Sequence, residues 1–353
     1  MLKIISEDGA PSGHERVVFA EDAEIGYRAF VAVHSTALGP ALGGTRLWDY
    51  ASPAEARTDA LRLARGMTYK NALAGLPFGG GKSVLVGDAR GLDREKVFRA
   101  HGRVVESLGG AYITAEDVNT SPADMEFIRQ ETAHVAGLIG RSGDPSPVTA
   151  HGVFRAVEAS AKYRRGSDSL EGMTVALQGC GHVGYHLARE LSEAGAALVA
   201  TDVDAAKLAR VVADFGARPV APGEIYGARA DIFAPCALGG VVNDETIPRF
   251  NFEIVAGAAN NQLLESRHAD ALAARGILYA PDYVANAGGV INGSTELLGW
   301  DAERARGKVH AIYDTLLEIF DAADAAGTTP ARAADALAER RIEEARAARN
   351  NSA

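Results

Sequence analysis

The sequence predicts an α/β protein of two domains. The N-terminal domain mixes strands and helices, and the C-terminal domain is built on a parallel sheet with helices on both faces. Three observations carry this. The chain has 353 residues, more than a single core of about 150 residues accommodates. Apolar residues make up 47% and charged residues 23%, the balance of a chain that buries a core, which excludes disorder as the main state. Beyond Pro147, short apolar runs alternate with helical patterns, the signature of strands joined by crossover helices.

Taken in order, Tyr27 to His34 (YRAFVAVH) reads as a strand. Pro53 to Tyr69 carries Ala56, Ala60, Leu63, Ala64 and Met67 at helical spacing. Ser52 before Pro53, with Glu55 three residues on, resembles a capping box with proline at the first helical position. A short strand follows at Ser83 to Val86, then a helix from Arg94 to Leu108 and a strand at residues 111–114. The run GRSGDPSP at 140–147 is the linker that the turn-forming residues single out. After it come a helix (Val153 to Tyr163), a strand (Thr174 to Gln178), a helix (His182 to Glu193), a strand (Leu198 to Thr201) and a helix (Ala205 to Phe215). Further strands are expected at Asp231 to Ala234, Glu253 to Ala256 and Ile277 to Ala280. From Ala302 to about Asn350 the pattern is helical, broken by Gly327-Thr328-Thr329-Pro330. The first of these helices is expected to cap the second domain, and sequence alone does not place the last.

Composition narrows the function. The net charge is −10, and Lys and Arg form no long run, so no nucleic-acid partner is expected. Cys180 and Cys236 form no C-x-x-C pair, which argues against a disulfide framework and against a metal site. Charge comes too early for a signal peptide, and no apolar run approaches the roughly 18 residues of a bilayer span. The expectation is a cytoplasmic protein with no membrane partner.

Glycine, at 39 residues, is in excess and concentrates where backbone must approach something closely. Residues 179–184 read Gly-Cys-Gly-His-Val-Gly after a predicted strand and at the head of a predicted helix, and Asp202 closes the next strand 21 residues after Gly181. This is the Rossmann dinucleotide fingerprint in its required setting. Gly179 permits the tight turn, and Gly181, with His182 and Val183 after it, brings the helix N-terminus to the pyrophosphate. Gly184 allows close helix–strand packing. Asp202 suits a ribose hydroxyl pair and repels a 2′-phosphate, so NAD is expected as cofactor. Cys180 reads as a packing residue of the turn.

The N-terminal half carries Lys70 and Lys82, twelve residues apart, the second directly after Gly79-Gly80-Gly81. A phosphate-binding P-loop fails on spacing, because the position that needs glycine is Leu76. A lysine near a second cation and shielded from water has a lowered pKa and can serve as a general base or activate a water. The residues alone leave open whether these are instead surface lysines around a flexible loop. Asp117 follows a predicted strand and reads equally as a catalytic carboxylate or a cap. Asn260-Asn261 after Gly257-Ala258-Ala259 suits nicotinamide and substrate contacts, or a polar turn. Asn286-Ala287-Gly288-Gly289-Val290 repeats the small-residue theme.

The segments ALGGTR (41–46), GMTYKNALAGLPFGGGKSV (66–84), TAEDVNT (114–120), SPVTAHGV (146–153), DIFAPCALGG (231–240) and APDYVANAGGVIN (280–292) together resemble the leucine/phenylalanine/valine branch of the amino acid dehydrogenases, related to glutamate dehydrogenase. The similarity spans nearly the whole chain. It implies NAD-dependent oxidative deamination of an L-amino acid to the 2-oxo acid and ammonia, in an active site in the interdomain cleft. It implies a substrate-binding, catalytic and oligomerisation domain over 1–140, a hinge at 141–147 and a Rossmann domain over 148–328. A C-terminal helix at 329–353 would then pack back on the first domain. By motif, Lys70 matches the lysine that binds the substrate carboxylate, Lys82 the lysine that polarises a water, and Asp117 the aspartate that exchanges protons with the amino group. Gly43, Gly44 and Asn261 match positions near the substrate head group. Thr149, Cys236, Ala237 and Asn260 match positions that contact NAD.

For the side-chain pocket, no further lysine beyond Lys70 and Lys82 stands in these motifs to meet a distal carboxylate, so an apolar substrate is expected. Leu42 and Ala115 resemble the leucine type. Val290 would line the same pocket, and Gly293, where leucine-type relatives usually carry valine, would enlarge it. Asn119 and Asn260-Asn261 lean to the phenylalanine type. Branched aliphatic substrates are therefore expected first, with phenylalanine or a broad range as the alternative. The resemblance also implies a homo-oligomer.

Overall fold

The computed structural model describes residues 1–8, 13–141 and 143–351. Ser142, in the predicted linker, lies outside the described residues, as do Ser352 and Ala353. The chain divides into two compact units: Met1–Gly143 with Gly293–Trp300 and Ala338–Ala353, and Asp144–Asn292 with Asp301–Leu337.

The first unit holds β1 (Lys3–Asp8), β2 (Arg16–Asp22), β3 (Tyr27–Ser35), β4 (Ala41–Trp48), α1 (Pro53–Leu73), β5 (Gly79–Val86), α2 (Arg94–Glu106), β6 (Tyr112–Glu116) and α3 (Pro122–Arg129). Its six strands form one mixed sheet in the order β1-β2-β3-β5-β4-β6. The pairs from β1 to β5 are antiparallel, and β4 runs parallel to both β5 and β6. Alternation along β3 sends side chains to opposite faces. Val31 and Val33 join Leu47, Leu85 and the α2–α3 residues Phe98, Val104, Met125 and Ile128 on one side. Phe30 and Ala32 join Ala56, Ala60 and Ala64 of α1 on the other.

The capping of α1 differs in one detail from expectation. Ser52 accepts from the Glu55 N–H at 3.2 Å, but the Glu55 carboxylate takes the Ala51 N–H rather than that of Ser52. A larger correction concerns Gly79-Gly80-Gly81. These residues are not loop but the first half of β5, buried in the middle of the sheet. They are glycine because neighbouring backbone occupies the space of a side chain. A Cβ at Gly79 would lie 1.8 Å from the Ser35 carbonyl oxygen, and one at Gly80 would lie 2.0 Å from the Thr68 nitrogen. The sheet and α1 thus approach more closely than any side chain would permit.

The second unit begins with α4 (Ser146–Arg165), followed by β7 (Thr174–Gln178), α5 (His182–Glu193), β8 (Ala197–Thr201), α6 (Ala205–Phe215) and β9 (Arg218–Pro219). β10 (Ile232–Pro235), β11 (Ile254–Val255), α7 (Arg267–Ala274), β12 (Leu278–Tyr279) and α8 (Asp282–Ala285) come next. α9 (Gly288–Leu298), α10 (Ala302–Ala326) and α11 (Pro330–Asn350) complete the chain. α4 starts inside the predicted linker, because prolines fit the first turn of a helix. The sheet is wholly parallel in the order β12-β11-β10-β7-β8-β9. The order reverses between β7 and β10, so this is a doubly wound sheet with its switch point there. Phe233, Phe250 and Phe252 stack in its core.

α9 and α11 each contribute residues to both units. Within the second, Asp335 accepts from Tyr283 at 2.7 Å and Arg332 pairs with Asp270 at 2.7 Å. Within the first, Glu339 accepts from Tyr69 at 2.5 Å, and Arg341 donates to the Ala72 and Leu73 carbonyls at 3.2 Å. Those carbonyls end α1, and a guanidinium there meets the negative end of the helix dipole.

Candidate active site

In the first unit, β4 lies between β5 and β6, with Leu42 opposite Gly80 and Ile113, and Gly44 opposite Ala115. This brings the predicted Lys82, Gly43, Gly44 and Asp117 into one cluster. Lys82 Nζ forms an ion pair with Asp117 Oδ2. A Cβ at Gly43 would lie 1.8 Å from the Gly81 carbonyl oxygen, and one at Gly44 2.8 Å from Asp117 Cβ, so only glycine lets β4 pass this closely. Lys70 stands in the last turn of α1, half-buried, one turn after Met67. Met67 Cγ would be 3.3 Å from a Cβ at Gly43. Lys82 itself is only 5% exposed, and on a central strand rather than a surface loop.

Burial pushes the Lys82 ammonium below the ordinary lysine value, against the opposing pull of Asp117. The cation that adds to the lowering is Arg46, a residue to which the sequence reading assigned no role. Burial alone would raise the Asp117 carboxyl, but the charges of Lys82 and then Arg46 outweigh it and hold it below the usual carboxylate range. The backbone N–H of Asp117 donates to Thr120 Oγ1 at 2.8 Å, and that hydroxyl bonds the Thr45 carbonyl at 3.0 Å.

Beneath the glycines lies a buried polar chain that sequence reasoning missed. Tyr112 donates to the Gly43 carbonyl at 2.6 Å and accepts from Ser83 at 3.0 Å. Thr45 and Thr114 hydroxyls are 2.5 Å apart, and Thr45 also meets His101 Nε2 at 3.1 Å. His101 Nδ1 meets the Tyr27 hydroxyl at 3.0 Å. Burial lowers the His101 pKa to about 3, so it is neutral and shares one proton between its two hydroxyl partners. Each residue alone looks like ordinary core; only the sheet order shows that they line up. Asp124, in the first turn of α3, accepts from both the backbone N–H and the hydroxyl of Ser121 at 2.8 Å and pairs with Arg94 at 2.5 Å.

In the second unit, the glycine motif joins β7 to α5 at the switch point. Gly179 has φ of +99°, and a Cβ there would lie 2.9 Å from Ala237. A Cβ at Gly184 would lie 2.0 Å from the Gly179 carbonyl oxygen and 3.6 Å from Cys236 Cβ. Gly179, Gly184, Cys236 and Ala237 therefore form one packed corner. Gly181, the residue before α5, differs: among the described residues other than its two chain neighbours, no atom stands within 4 Å of the Cβ it lacks. Packing does not demand glycine there, whereas a pyrophosphate against the helix N-terminus does, so these residues fit a dinucleotide. His182 and Val183 open α5. Asp202 follows β8, its carboxylate held by the N–H groups of Cys180 at 2.6 Å and Asp204 at 2.7 Å.

Burial pushes both cysteine thiols up to about 12, which suits packing rather than nucleophilic roles. Thr149 lies in the first turns of α4, 3.0 Å from the Cβ that Gly289 lacks. Asn286 donates to Asn260 Oδ1 at 2.8 Å, and its own Oδ1 is a buried acceptor without a partner among the described residues. Asn261 takes a positive φ of 52°. Asn261 and Val290 belong to the second unit, and Gly293, also on α9, to the first. Among the described residues no cluster of His, Cys, Asp or Glu could hold a metal ion, and no helix is long and apolar enough to cross a membrane.

A parallel doubly wound sheet with a dinucleotide corner, and a separate sheet bearing a buried lysine–aspartate pair, define a dehydrogenase that works on an ionisable substrate. The comparisons make the class specific. Residues 14–134 match the Glu/Leu/Phe/Val dehydrogenase dimerisation domain, and residues 140–206 and 203–350 match the glutamate/leucine/phenylalanine/valine dehydrogenase family. The chain is 55% identical to a leucine dehydrogenase of Geobacillus stearothermophilus, over 96% of this chain and 93% of that one. It is 48% identical to a valine dehydrogenase of Streptomyces albus, over 96% and 94%. The crystal structure of L-tryptophan dehydrogenase from Nostoc punctiforme superimposes with a TM-score of 0.85 at 47% identity, over 94% of this chain and 97% of that one. The chain belongs to the glutamate/leucine/phenylalanine/valine dehydrogenase family. It is an amino acid dehydrogenase, acting on a CH–NH2 group with a pyridine nucleotide.

Proposed function

We propose that this protein catalyses the reversible, NAD-dependent oxidative deamination of leucine and other branched aliphatic L-amino acids to 2-oxo acids and ammonia. The observation that carries the reading is the ion pair of buried Lys82 with half-buried Asp117, beside the backbone of Gly43 and Gly44. Leucine dehydrogenases at 53–55% identity support the substrate class. Lys70 binds the substrate carboxylate. Asp117, ionised, takes a proton from the substrate ammonium and leaves an amine whose lone pair drives loss of the α-hydride. NAD, when bound at Gly179, Gly181 and Gly184, with Thr149, Cys236, Ala237 and Asn260 beside it, supplies the hydride acceptor. Lys82 polarises the water that attacks the imine carbon, Asp117 returns its proton to the nitrogen, and the carbinolamine collapses to oxo acid and ammonia. Asp202 meets the ribose hydroxyls and disfavours NADP. Leu42, Ala115, Val290 and Gly293 shape the side-chain pocket, and Asn261 meets the head group. We further propose that the protein is a homo-oligomer, which the dimerisation-domain match supports, and that it acts in the cytoplasm.

A broader, aromatic-accepting pocket is the second reading, favoured by the open space around the Cβ that Gly293 lacks. The test is NADH formation with L-leucine, L-valine and L-phenylalanine, with Lys82→Ala as control. Leucine and valine are expected to lead. Phenylalanine leading would put the pocket in the second class, and a fully active Lys82→Ala protein would remove Lys82 from the chemistry.

A further inference from the structure

The inference rests on the reading of Lys82 and Asp117 as the reacting pair. Both of the nearest cations converge on one oxygen of Asp117: Lys82 Nζ from β5 and Arg46 Nε from β4, the latter at 3.3 Å, engage Oδ2. Arg46 is fixed from behind. Its Nη1 donates to Asp59 Oδ2 of α1 at 3.0 Å, and the same oxygen accepts from the Tyr50 hydroxyl at 2.6 Å. Arg62 holds the other Asp59 oxygen at 3.1 Å. The Arg46 and Asp59 side chains are only 20% and 13% exposed. We propose that Arg46 is a positioning residue of the deamination reaction, a fixed cation that keeps Asp117 aimed and ionised whichever protonation state Lys82 occupies.

The physical need follows from the cluster. Burial favours the neutral form of Lys82. When it is neutral and Arg46 is absent, Asp117 would be a half-buried carboxylate without a counter-charge, and such a group is drawn towards its protonated form. Asp117 would then no longer accept one from substrate. A guanidinium does not titrate in proteins. Its planar fork also serves Asp117 through Nε and Asp59 through Nη1 at once, which a point-charge ammonium cannot copy. The titratable and charged groups around the pair are Lys82 on β5, Arg46 on β4, Asp59 and Arg62 on α1, Tyr50 after β4, and Tyr112 on β6. Removing the Arg46 charge stabilises the protonated form of both Lys82 and Asp117, so both pKa values rise.

The test is the pH profile of kcat/KM for leucine with NAD in wild type, Arg46→Gln, Arg46→Lys and Asp59→Asn. In Arg46→Gln both limbs are expected to move to higher pH. The acid limb should move by about one unit, which is roughly a tenfold loss at a fixed pH on that side. Arg46→Lys should return the limbs towards wild type while kcat stays low, because charge is restored but the fork is not. Loss of kcat in Arg46→Gln with both limbs unmoved would reduce Arg46 to a structural part and overturn the proposal. Should Arg46→Gln fail to fold, Asp59→Asn decides. It leaves the charge but frees it, so kcat should fall several-fold with KM little changed, and an unchanged kcat overturns the proposal. If wild type deaminates no amino acid, the functional reading fails on its own. The clamp is then read from the 13C carboxyl resonance of Asp117, assigned by its loss in Asp117→Asn. A higher midpoint in Arg46→Gln supports it, and equal midpoints overturn it.

Discussion

At the scale of single residues, the site depends on a hydroxyl that does no chemistry. Tyr112 is fully buried, and its hydroxyl bridges the Gly43 carbonyl on β4 to Ser83 on β5. Burial pushes this phenol up to about 12, so it remains a donor across any pH at which the enzyme works. Replacing it with phenylalanine removes a donor from the Gly43 carbonyl and the acceptor of the buried Ser83 hydroxyl, at a cost of about 1–3 kcal/mol. Urea unfolding of Tyr112→Phe should show that loss with an unchanged m-value. KM for the amino acid should rise more than kcat falls, because Gly43 is the backbone proposed to meet the substrate. A variant as stable as wild type with an unchanged KM would show that the bridge does not hold β4 in place. Such residues were not legible in the sequence. Tyr112, Thr45 and His101 look like core positions there, and Arg46 sits inside the ALGGTR segment without a partner to give it meaning. What the residue types did was single out Lys82 and Asp117 as candidates, each with a structural reading left open, and only the family resemblance gave them roles. Their pairing comes only from β4 lying between β5 and β6.

At the scale of elements, two glycines that look alike in sequence answer to different demands. Gly80 is held by backbone: its absent Cβ would lie 2.0 Å from the Thr68 nitrogen and 2.5 Å from the Thr68 Cα on α1. Gly181 is crowded by no protein atom and has an ordinary φ of −67°. Gly80→Ala should therefore lose about 1–3 kcal/mol or more through overpacking. Gly181→Ala should stay within about 0.5 kcal/mol of wild type while NADH binds about tenfold more weakly, near 1.4 kcal/mol. Thermal melts beside NADH fluorescence titrations separate the two. Equal losses of stability, or unimpaired NADH binding by Gly181→Ala, would contradict this assignment. The same contrast explains which elements could be read in advance. β7, α5 and α6 match their sequence-derived bounds because apolar periodicity and caps agree there, as with Gly216 in the left-handed region after α6. β10 lies one residue further on than expected, and β11 and β12 are one residue shorter at each end, because so short a run carries little periodicity. β4 and the first half of β5 went unread because glycine is disfavoured in strands unless something presses on the backbone, and the backbone that presses on β5, Ser35 of β3 and Thr68 of α1, is identified only by the fold.

At the scale of the whole molecule, the chain is more interleaved than a division into consecutive domains suggests. The sequence pattern ends one domain near residue 140 and leaves the last helix unplaced. The first unit in fact includes Gly293–Trp300 and everything from Ala338 on. No local signal marks such a break, since α11 runs unbroken through residue 337 and its periodicity is that of any amphipathic helix. What residues 338–350 contribute is specific. Ala338 and Ile342 are buried, Glu339 accepts from Tyr69, Arg341 caps the end of α1, and Arg349 donates to the Thr36 carbonyl. α1 carries Lys70 in its last turn, so the chain terminus supports the proposed carboxylate-binding end of the substrate site. The second unit keeps its own sheet and its glycine corner without these residues. A protein ending at Leu337 should therefore bind NADH with a Kd within about threefold of wild type, a difference under 1 kcal/mol. Its first unit should melt earlier, and KM for the amino acid should rise. Multi-unit proteins need not unfold in one step, so calorimetry with and without NADH resolves the two transitions. Loss of NADH binding together with the first unit would mean that the dinucleotide corner itself depends on the C-terminal helix.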